Sequence, residues 1–80
     1  MKAIVITGAS SGIGFEIARL LSRNHLVMGI GRNKTNCEKA EELILSENPD
    51  ARIVYFVADL IQQHEVNRVA DEIIAYLESN

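Results

Sequence analysis

Three glycines, spaced as Gly-x-x-x-Gly-x-Gly, carry the clearest chemical signal of the sequence: Gly8, Gly12 and Gly14. They follow the apolar run Ala3–Ile6, and a helical pattern begins immediately after them. Without a Cβ, Gly8 and Gly12 permit a tight turn and close approach of a ligand to the backbone, and Gly14 permits close packing of helix on strand. Free N–H groups at the helix start, together with the helix dipole, would then favour a pyrophosphate.

Two hydroxyl side chains belong to the same loop. Ser10 and Ser11 lie between the first two glycines, where a hydroxyl can bond to phosphate or ribose oxygens. Ordinary strand-to-helix turns also use glycine, which leaves a purely structural turn open as an alternative. The position between a buried strand and a helix favours a phosphate-binding loop.

Three short apolar runs predict the strands that must position this loop. They are rich in β-branched residues and nearly continuous instead of alternating, which is typical of strands buried on both faces. The runs are Ala3–Ile6, Leu26–Ile30 and Ile53–Val57. Helical spacing fills the segments between and after them. We expect the first helix to span about Ser11 to Arg23, with four apolar residues facing the sheet: Ile13, Ile17, Leu20 and Leu21.

Two further helices complete the pattern. Capping-box spacing in Thr35-Asn36-Cys37-Glu38 predicts that the second helix starts after Thr35, and Pro49 predicts that it stops before Asn48. Its apolar side would consist of Cys37, Ala40, Leu43 and Ile44. The third helix has an apolar stripe made of Val66, Val69, Ala70, Ile73, Ile74 and Leu77. The order β-α-β-α-β-α predicts an α/β fold with parallel strands, joined by right-handed crossovers into half of a doubly wound sheet.

Length and composition exclude several classes of protein. The 80 residues, with 48% hydrophobic and 24% charged side chains, suit one small folded domain. A net charge of −3 and the lack of a basic stripe argue against nucleic acid or an anionic membrane as partner. No run has transmembrane or signal-peptide length, and the single cysteine, Cys37, fits a reducing compartment as a small buried hydrophobe. No Cys/His cluster has zinc spacing, so we predict a cytoplasmic protein without a metal site.

The glycine loop resembles that of the short-chain dehydrogenase/reductase family, whose cofactor loop reads Thr-Gly-x-x-x-Gly-x-Gly, here Thr7, Gly8, Gly12 and Gly14. The resemblance continues after the second and third strands, at Gly31-Arg32-Asn33 and Ala58-Asp59-Leu60. All 80 residues resemble the N-terminal portion of that family. The resemblance therefore implies one truncated dinucleotide-binding domain over residues 1–80. It would be a three-layer Rossmann-like half with strand order 3-2-1.

What the resemblance implies for the site is a nicotinamide dinucleotide held by the Gly8–Gly14 loop. Ile13 would add a backbone contact to the pyrophosphate. Asp59 would reach the adenine amino group, and Leu60 would offer its backbone to the same ring. A carboxylate between a strand and a helix is also a common helix cap, and for Asp59 the two roles are compatible.

The residue at the end of the second strand bears on the choice of dinucleotide. An acidic side chain there accepts from the ribose 2′-hydroxyl and repels a 2′-phosphate. Here Arg32 takes that place, and its planar cationic group suits a phosphate and can stack on adenine. Asn33 and Lys34 could assist, so we expect NADP rather than NAD. The alternative is a pair of solvated cations beside a turn.

The family's catalytic residues have no counterpart in the 80 residues. The resemblance places an Asn-Asn-Ala-Gly segment, a catalytic serine and a Tyr-x-x-x-Lys pair later in the chain. Neither Tyr55 nor Tyr76 has a lysine four residues on, and we interpret Tyr55 as core and Tyr76 as helix surface. His25 and His64 lack triad-like partners and are interpreted as solvated or capping residues. We therefore predict a cofactor-binding fragment with no catalytic residue of its own.

An exposed strand edge is the last expectation. Residues 3–7 would form an unpaired apolar edge where a fourth strand pairs in a complete doubly wound sheet, and such edges seek partners. Two copies could pair there around a twofold axis, giving a homodimer with strand order 3-2-1-1-2-3. A non-catalytic, self-associating or protein-binding module with a residual glycine loop is therefore the second interpretation. A phosphate-binding domain of another α/β family is the third.

Overall fold

Helices and strands alternate along the computed structural model, which describes residues 2–79. The elements are β1 (Ala3–Thr7), α1 (Gly12–Leu21), β2 (Leu26–Gly31), α2 (Lys34–Glu47), β3 (Ile53–Val57) and α3 (Gln63–Ser79). Both strand pairs are parallel, and the sheet order is β1-β2-β3. The predicted fold class, element order and strand order are confirmed. The predicted domain, residues 1–80, extends one residue beyond the described part at each end.

The sheet has a different hydrophobic cluster on each face, because successive side chains of a strand point in opposite directions. One cluster joins α1 and α2 to the sheet through Ala9, Ala18, Val27 and Ile44. The other joins α3 to the opposite face through Ile30, Ala58 and Val69. Two helices therefore cover one face and a single helix covers the other, which confirms the three-layer arrangement.

Helix α1 contacts the sheet through a face that differs in part from the predicted one. The prediction that Ile13, Ile17 and Leu20 face the sheet is wrong, since their exposures are 80%, 41% and 49%. Ala18 is fully buried instead, and Leu21 packs against the first cluster as expected. Phe15 packs against the same cluster, so the face toward the sheet combines the small Ala18 with Phe15 and Leu21 and leaves the three predicted residues outside it.

Helix α2 begins earlier than its sequence suggests. The predicted start after Thr35 is wrong, because Asn33 is the N-cap and its Oδ1 accepts a hydrogen bond from the Asn36 amide at 2.9 Å. Thr35 thus lies inside the first turn, and the helix ends at Glu47 as predicted. Its predicted apolar side is buried at Cys37, Ala40 and Ile44. Leu43, the fourth predicted member, is exposed.

Helix α3 is the least deeply buried helix for its length. Val69 is its one buried residue, whereas Ala70, Ile74 and Leu77 of the predicted stripe are exposed. Tyr76 is not simply surface, as the sequence suggested: its ring meets Phe56 edge-on, with centroids 6.1 Å apart. The predicted apolar stripe of α3 therefore faces the sheet at Val69 and Ile73, and its exposed members lie beside that contact.

No helix within residues 2–79 is both long enough and apolar enough to cross a membrane.

Candidate functional site

A cleft of about 550 Å³ lies at the carboxyl ends of the three parallel strands. It brings together seven of the predicted site residues: Gly8, Ser10, Ser11, Arg32, Asn33, Asp59 and Leu60. The other four do not line it: Thr7 is the last residue of β1, and Gly12, Ile13 and Gly14 lie in the first turn of α1. The sequence did not identify Ile30, Asn36 or Ile61 as site residues, and these three also line the cleft. Asn36 could have been found as the third residue after the Asn33 cap.

Each glycine of the loop meets a specific steric requirement. Gly8 and Gly12 have φ angles of 62° and 59°, in the left-handed region where a side chain is strained. Space around both is open, so the constraint there is conformational. Gly14 is constrained differently, because a Cβ at that position would lie 2.1 Å from the Gly8 carbonyl oxygen. The backbone at the start of α1 therefore packs directly against the backbone of Gly8.

The start of α1 offers donors that the helix itself does not use. The Phe15 amide makes the first helical hydrogen bond, to the Ser11 carbonyl oxygen at 3.2 Å. The amides of Gly12, Ile13 and Gly14 precede that bond, as the first N–H groups of a helix must. Ser11 is the N-cap, yet its side chain makes no capping hydrogen bond, and the first turn has no acidic residue. These donors, with the positive end of the helix dipole, favour an anion.

Ala9 holds this loop to the rest of the sheet. Its amide donates to the Ile30 carbonyl oxygen at 3.1 Å, and its own carbonyl accepts from the Tyr55 hydroxyl at 2.7 Å. Tyr55 packs against the first hydrophobic cluster, as the sequence predicted for it. Burial raises the pKa of its phenol to about 12, so the hydroxyl remains a donor at neutral pH.

Arg32 is the exposed cation at the tip of β2. Within residues 2–79 it makes no hydrogen bond or ion pair, so its guanidinium is uncommitted beside the cleft. Asn33 uses its side-chain oxygen to cap α2, which leaves its amide group as a donor. Lys34 does not line the cleft. Of the three polar residues after β2, Arg32 alone combines a free charge with a position on the cleft wall.

Asp59 forms the opposite wall and shapes a turn before α3. Its Oδ1 accepts from the Ile61 amide at 3.2 Å, and its Oδ2 accepts from the Gln62 side chain at 3.3 Å. The helix-cap role left open by the sequence is not the observed one, because α3 begins at Gln63 and the Asp59 carboxylate closes the turn before it. Because Asp59 also lines the cleft, this role does not remove its carboxylate from the site.

A charged network on α3 secures that wall. Glu65 Oε1 accepts from the Asp59 amide at 3.3 Å and from Arg68 Nη2 at 2.9 Å. Arg68 Nη2 also donates to the Val57 carbonyl oxygen at 2.7 Å, and Nη1 bonds to Glu72. The spacing of Glu65, Arg68 and Glu72 on a helix indicates ion pairs. The hydrogen bond from Arg68 to Val57 of β3 has no signal in the sequence and was not predicted.

The Glu65 network predicts a pH-dependent contribution to stability. The hydrogen bond from Arg68 lowers the pKa of Glu65 from its ordinary 4.5 to about 2. A carboxyl whose pKa is lower in the folded state stabilises the fold above its unfolded pKa, and that stabilisation is lost as the pH falls through about 2. We therefore expect Glu65→Gln to be less stable than the wild type at neutral pH, and the two thermal midpoints to converge as the solution is acidified.

Glu42→Gln is the matched control for this prediction, because Glu42 is exposed on α2 and has no ion pair among the described residues. Thermal midpoints measured by circular dichroism across the acid range would separate the variants. Salt should reduce the effect of Glu65→Gln, because its charges are partly exposed. A constant difference from the wild type at every pH would contradict the assignment.

The remaining candidate residues take structural positions. His25 Nδ1 accepts from the Lys2 amide at 3.3 Å, and His64 is exposed at the start of α3; neither lines the cleft. Cys37 is buried, and burial raises the pKa of its thiol. Residues 2–79 contain no group of three or more His, Cys, Asp or Glu that could hold a metal ion.

A parallel sheet with a glycine loop and a cleft at the carboxyl ends of its strands defines the Rossmann-like class of α/β domain. A family model described as short chain dehydrogenase matches residues 2–79. The chain belongs to the short-chain dehydrogenase family.

Individual relatives agree with this assignment. The WW domain-containing oxidoreductase of Danio rerio is 38% identical over 72 residues, which are 88% of this chain and 17% of that protein. The crystal structure of YwfH, an NADPH-dependent reductase involved in bacilysin biosynthesis, superposes with a TM-score of 0.87 and 29% identity. That match covers 94% of this chain and 32% of YwfH.

A metagenomic short-chain oxidoreductase in complex with NADP has a TM-score of 0.82 and 26% identity. The match covers 94% of this chain and 34% of that one. The chain thus spans between about a sixth and a third of the length of these relatives, and corresponds to part of the oxidoreductase domain.

Proposed function

We propose that this chain is the NADP-binding portion of a short-chain dehydrogenase/reductase and holds the adenosine and pyrophosphate parts of the cofactor. The observation that carries the proposal is the cleft itself, where the glycine loop, Arg32 and Asp59 meet from three different strand ends. The NADP and NADPH named for two similar structures support it. The nicotinamide part of such a cofactor supplies or accepts the hydride.

The donors present fit a diphosphate. In the proposal, amides of the Gly8–Gly14 segment, including that of Ile13, bind the pyrophosphate together with the hydroxyls of Ser10 and Ser11. Thr7 ends the strand that presents this segment, with Gly12 at the helix start. On the other wall, Asp59 would accept from the adenine amino group, and the backbone of Leu60 would contact the same ring.

A preference for NADP over NAD is the finer part of the proposal. Arg32 has no ion-pair partner among the described residues and lies where an acidic residue would select the ribose 2′-hydroxyl. Its planar guanidinium can bind a phosphate in a bidentate manner, and the Asn33 amide group lies next to it in the sequence.

Thermal stability in the presence of each dinucleotide tests the proposal. A ligand that binds only the folded state, at about 100 times its Kd, stabilises by about 2.7 kcal/mol, or roughly ten degrees or more for a domain of this size. We expect NADP to raise the thermal midpoint by this order and NAD to raise it less at equal concentration. No rise with either dinucleotide would contradict cofactor binding and favour the non-catalytic module.

Self-association is a second candidate property, which the edge position of β1 favours. Ala3, Val5 and Thr7 are exposed, Val5 at 47%, and the outer edge of β1 has no partner strand among residues 2–79. We propose that two copies of the 80-residue chain pair antiparallel along β1 as a homodimer. Sedimentation at tens of micromolar should detect the dimer, and Val5→Lys should weaken it. A monomer under these conditions would contradict the proposal.

We propose a cytoplasmic location for this portion, with the buried, unpaired thiol of Cys37 in support. Cell fractionation with an antibody against the chain would test it.

A further inference from the structure

Tyr55 reaches the glycine loop from two strands away. It lies on β3, pairs in register with Gly29 of β2, and donates its hydroxyl to the carbonyl of Ala9, 46 residues earlier. The ring passes over Gly29, where a Cβ would lie 2.7 Å from Tyr55 Cε1 and 2.9 Å from Cδ1. Because Gly29 has no side chain, the Tyr55 ring can lie across the central strand β2.

The carbonyl that Tyr55 contacts belongs to the loop and is shielded from solvent. Ala9 has an exposure of 0%, so water does not replace the phenol as a donor. The peptide between Ala9 and Ser10 is planar and trans, which makes the Ala9 C=O and the Ser10 N–H point in opposite directions. A hydroxyl that fixes the carbonyl consequently fixes the direction of the Ser10 amide, and Ser10 lines the cleft.

We infer that Tyr55 is a positioning residue for the cofactor loop: through the Ala9 carbonyl it orients the peptide that presents the Ser10 amide to the ligand. This inference rests on the proposed function, because it concerns the same site. The Ala9 amide, bonded to Ile30 of β2, supplies the second fixed point. The loop is thus bonded to both β2 and β3 before any ligand arrives, which is the condition for preorganised binding.

Tyr55→Phe tests the inference because it removes the hydroxyl and keeps the ring. We expect NADPH to bind about five to tenfold more weakly, the size expected for one buried neutral hydrogen bond. Adenosine 2′-monophosphate, which has no pyrophosphate, should bind with unchanged affinity. Tyr76→Phe is the matched control, since Tyr76 packs on Phe56, which belongs with the opposite face of the sheet. It should leave both affinities unchanged.

Residue-resolved hydrogen exchange provides a readout without ligand. In Tyr55→Phe, the amide of Ala9, which is buried and bonded to the Ile30 carbonyl, should exchange about tenfold faster relative to the amides of β2, because the loop opens locally. A purely structural role would accelerate exchange throughout the sheet in parallel. Equal acceleration of loop and sheet, or no acceleration of the loop, would overturn the inference.

A second variant disturbs the same bond from the residue beneath the Tyr55 ring. In Gly29→Ala the new Cβ should displace the Tyr55 ring and would also lie 3.0 Å from Ala9 Cβ, so we expect it to reproduce the loop exchange of Tyr55→Phe. The double variant should be less affected than the sum of the two single changes, since the hydrogen bond can be lost only once. If the effects of the two changes on loop exchange are additive, they do not both act through the Tyr55–Ala9 hydrogen bond.

The two proposals fail in different ways. A wild type that binds neither NADPH nor adenosine 2′-monophosphate contradicts the proposed function, and the exchange measurements then still decide whether Tyr55 orders the loop. A wild type that binds NADPH with the same affinity as Tyr55→Phe contradicts the role of Tyr55 and leaves cofactor binding intact.

Discussion

Replacing Gly14 by alanine should destabilise the fold more than any other single-methyl addition in the glycine loop. The new Cβ would lie 2.1 Å from the Gly8 carbonyl oxygen and 2.8 Å from the Gly8 carbonyl carbon. Both are backbone atoms, so no rotamer change relieves the clash and α1 must move away from β1. We expect a loss of about 3 kcal/mol or more in the free energy of unfolding, above the usual cost of overpacking.

Gly12→Ala is the control for this change, since it adds the same methyl to open space at a φ of 59°. Left-handed strain should cost it about 1–2 kcal/mol. In an ordinary helix, glycine to alanine stabilises by about 0.5–1 kcal/mol, which makes the expected sign at Gly14 unusual. Measured by thermal unfolding, the midpoint of Gly14→Ala should lie roughly ten degrees or more below that of the wild type. A midpoint equal to or above that of Gly12→Ala would show that the helix does not pack this closely.

Arg32→Asp should reverse the preference between the two dinucleotides. The change removes a cation from the cleft wall and places there a carboxylate, which repels a 2′-phosphate and accepts from a 2′-hydroxyl. Charge-assisted hydrogen bonds are worth about 1.5–3 kcal/mol each, so one lost for NADP and one gained for NAD give a swing of roughly a hundredfold or more. Titration of each dinucleotide against both proteins gives the ratio of dissociation constants directly.

Arg23→Asp separates this local effect from a change of net charge. Arg23 is exposed just after α1 and does not line the cleft. The variant carries the same charge as Arg32→Asp, and we expect it to keep the preference of the wild type. If Arg32→Asp also keeps that preference, Arg32 does not contact the 2′-position and the choice of NADP loses its main support.

The strands and their order follow from the sequence because each depends on a local signal. A β-branched run bounded by polar residues predicts a buried strand, and the observed bounds differ from the expected ones by no more than one residue, at Thr7 and Gly31. Parallel pairing then follows from the alternation with helices. No long-range information was needed for this level of the fold.

Helix contacts were predicted less well, because periodicity shows a stripe but not which side of it meets the sheet. In α1 the small residues Gly14 and Ala18 make the close approach, and large side chains such as Ile13 turn outward. Capping-box spacing predicted the start of α2 after Thr35. The observed cap is Asn33, whose side chain accepts from the Asn36 amide, and the sequence prediction did not consider it as a cap.

The site, too, could be predicted only in part. Arg32 and Asp59 could be named because the family resemblance marks the segments after β2 and β3, and because parallel strands have their carboxyl ends on one side of the sheet. The bonds that hold them in place could not, since Tyr55 to Ala9 and Arg68 to Val57 join residues distant in sequence. Such contacts depend on side-chain reach across the folded sheet, for which a linear pattern carries no signal.

Because two helices cover one face of the sheet and one helix covers the other, we expect the two walls of the cleft to differ in how often they open. The glycine loop belongs to the face with two helices, and the Asp59 turn is bonded to α3, whose one buried residue is Val69. Partial opening costs least where few apolar contacts must be broken. We therefore expect fluctuations that release α3 to open the Asp59 side of the cleft more often than the glycine loop, so that under the proposed function a nucleotide would bind first through its diphosphate.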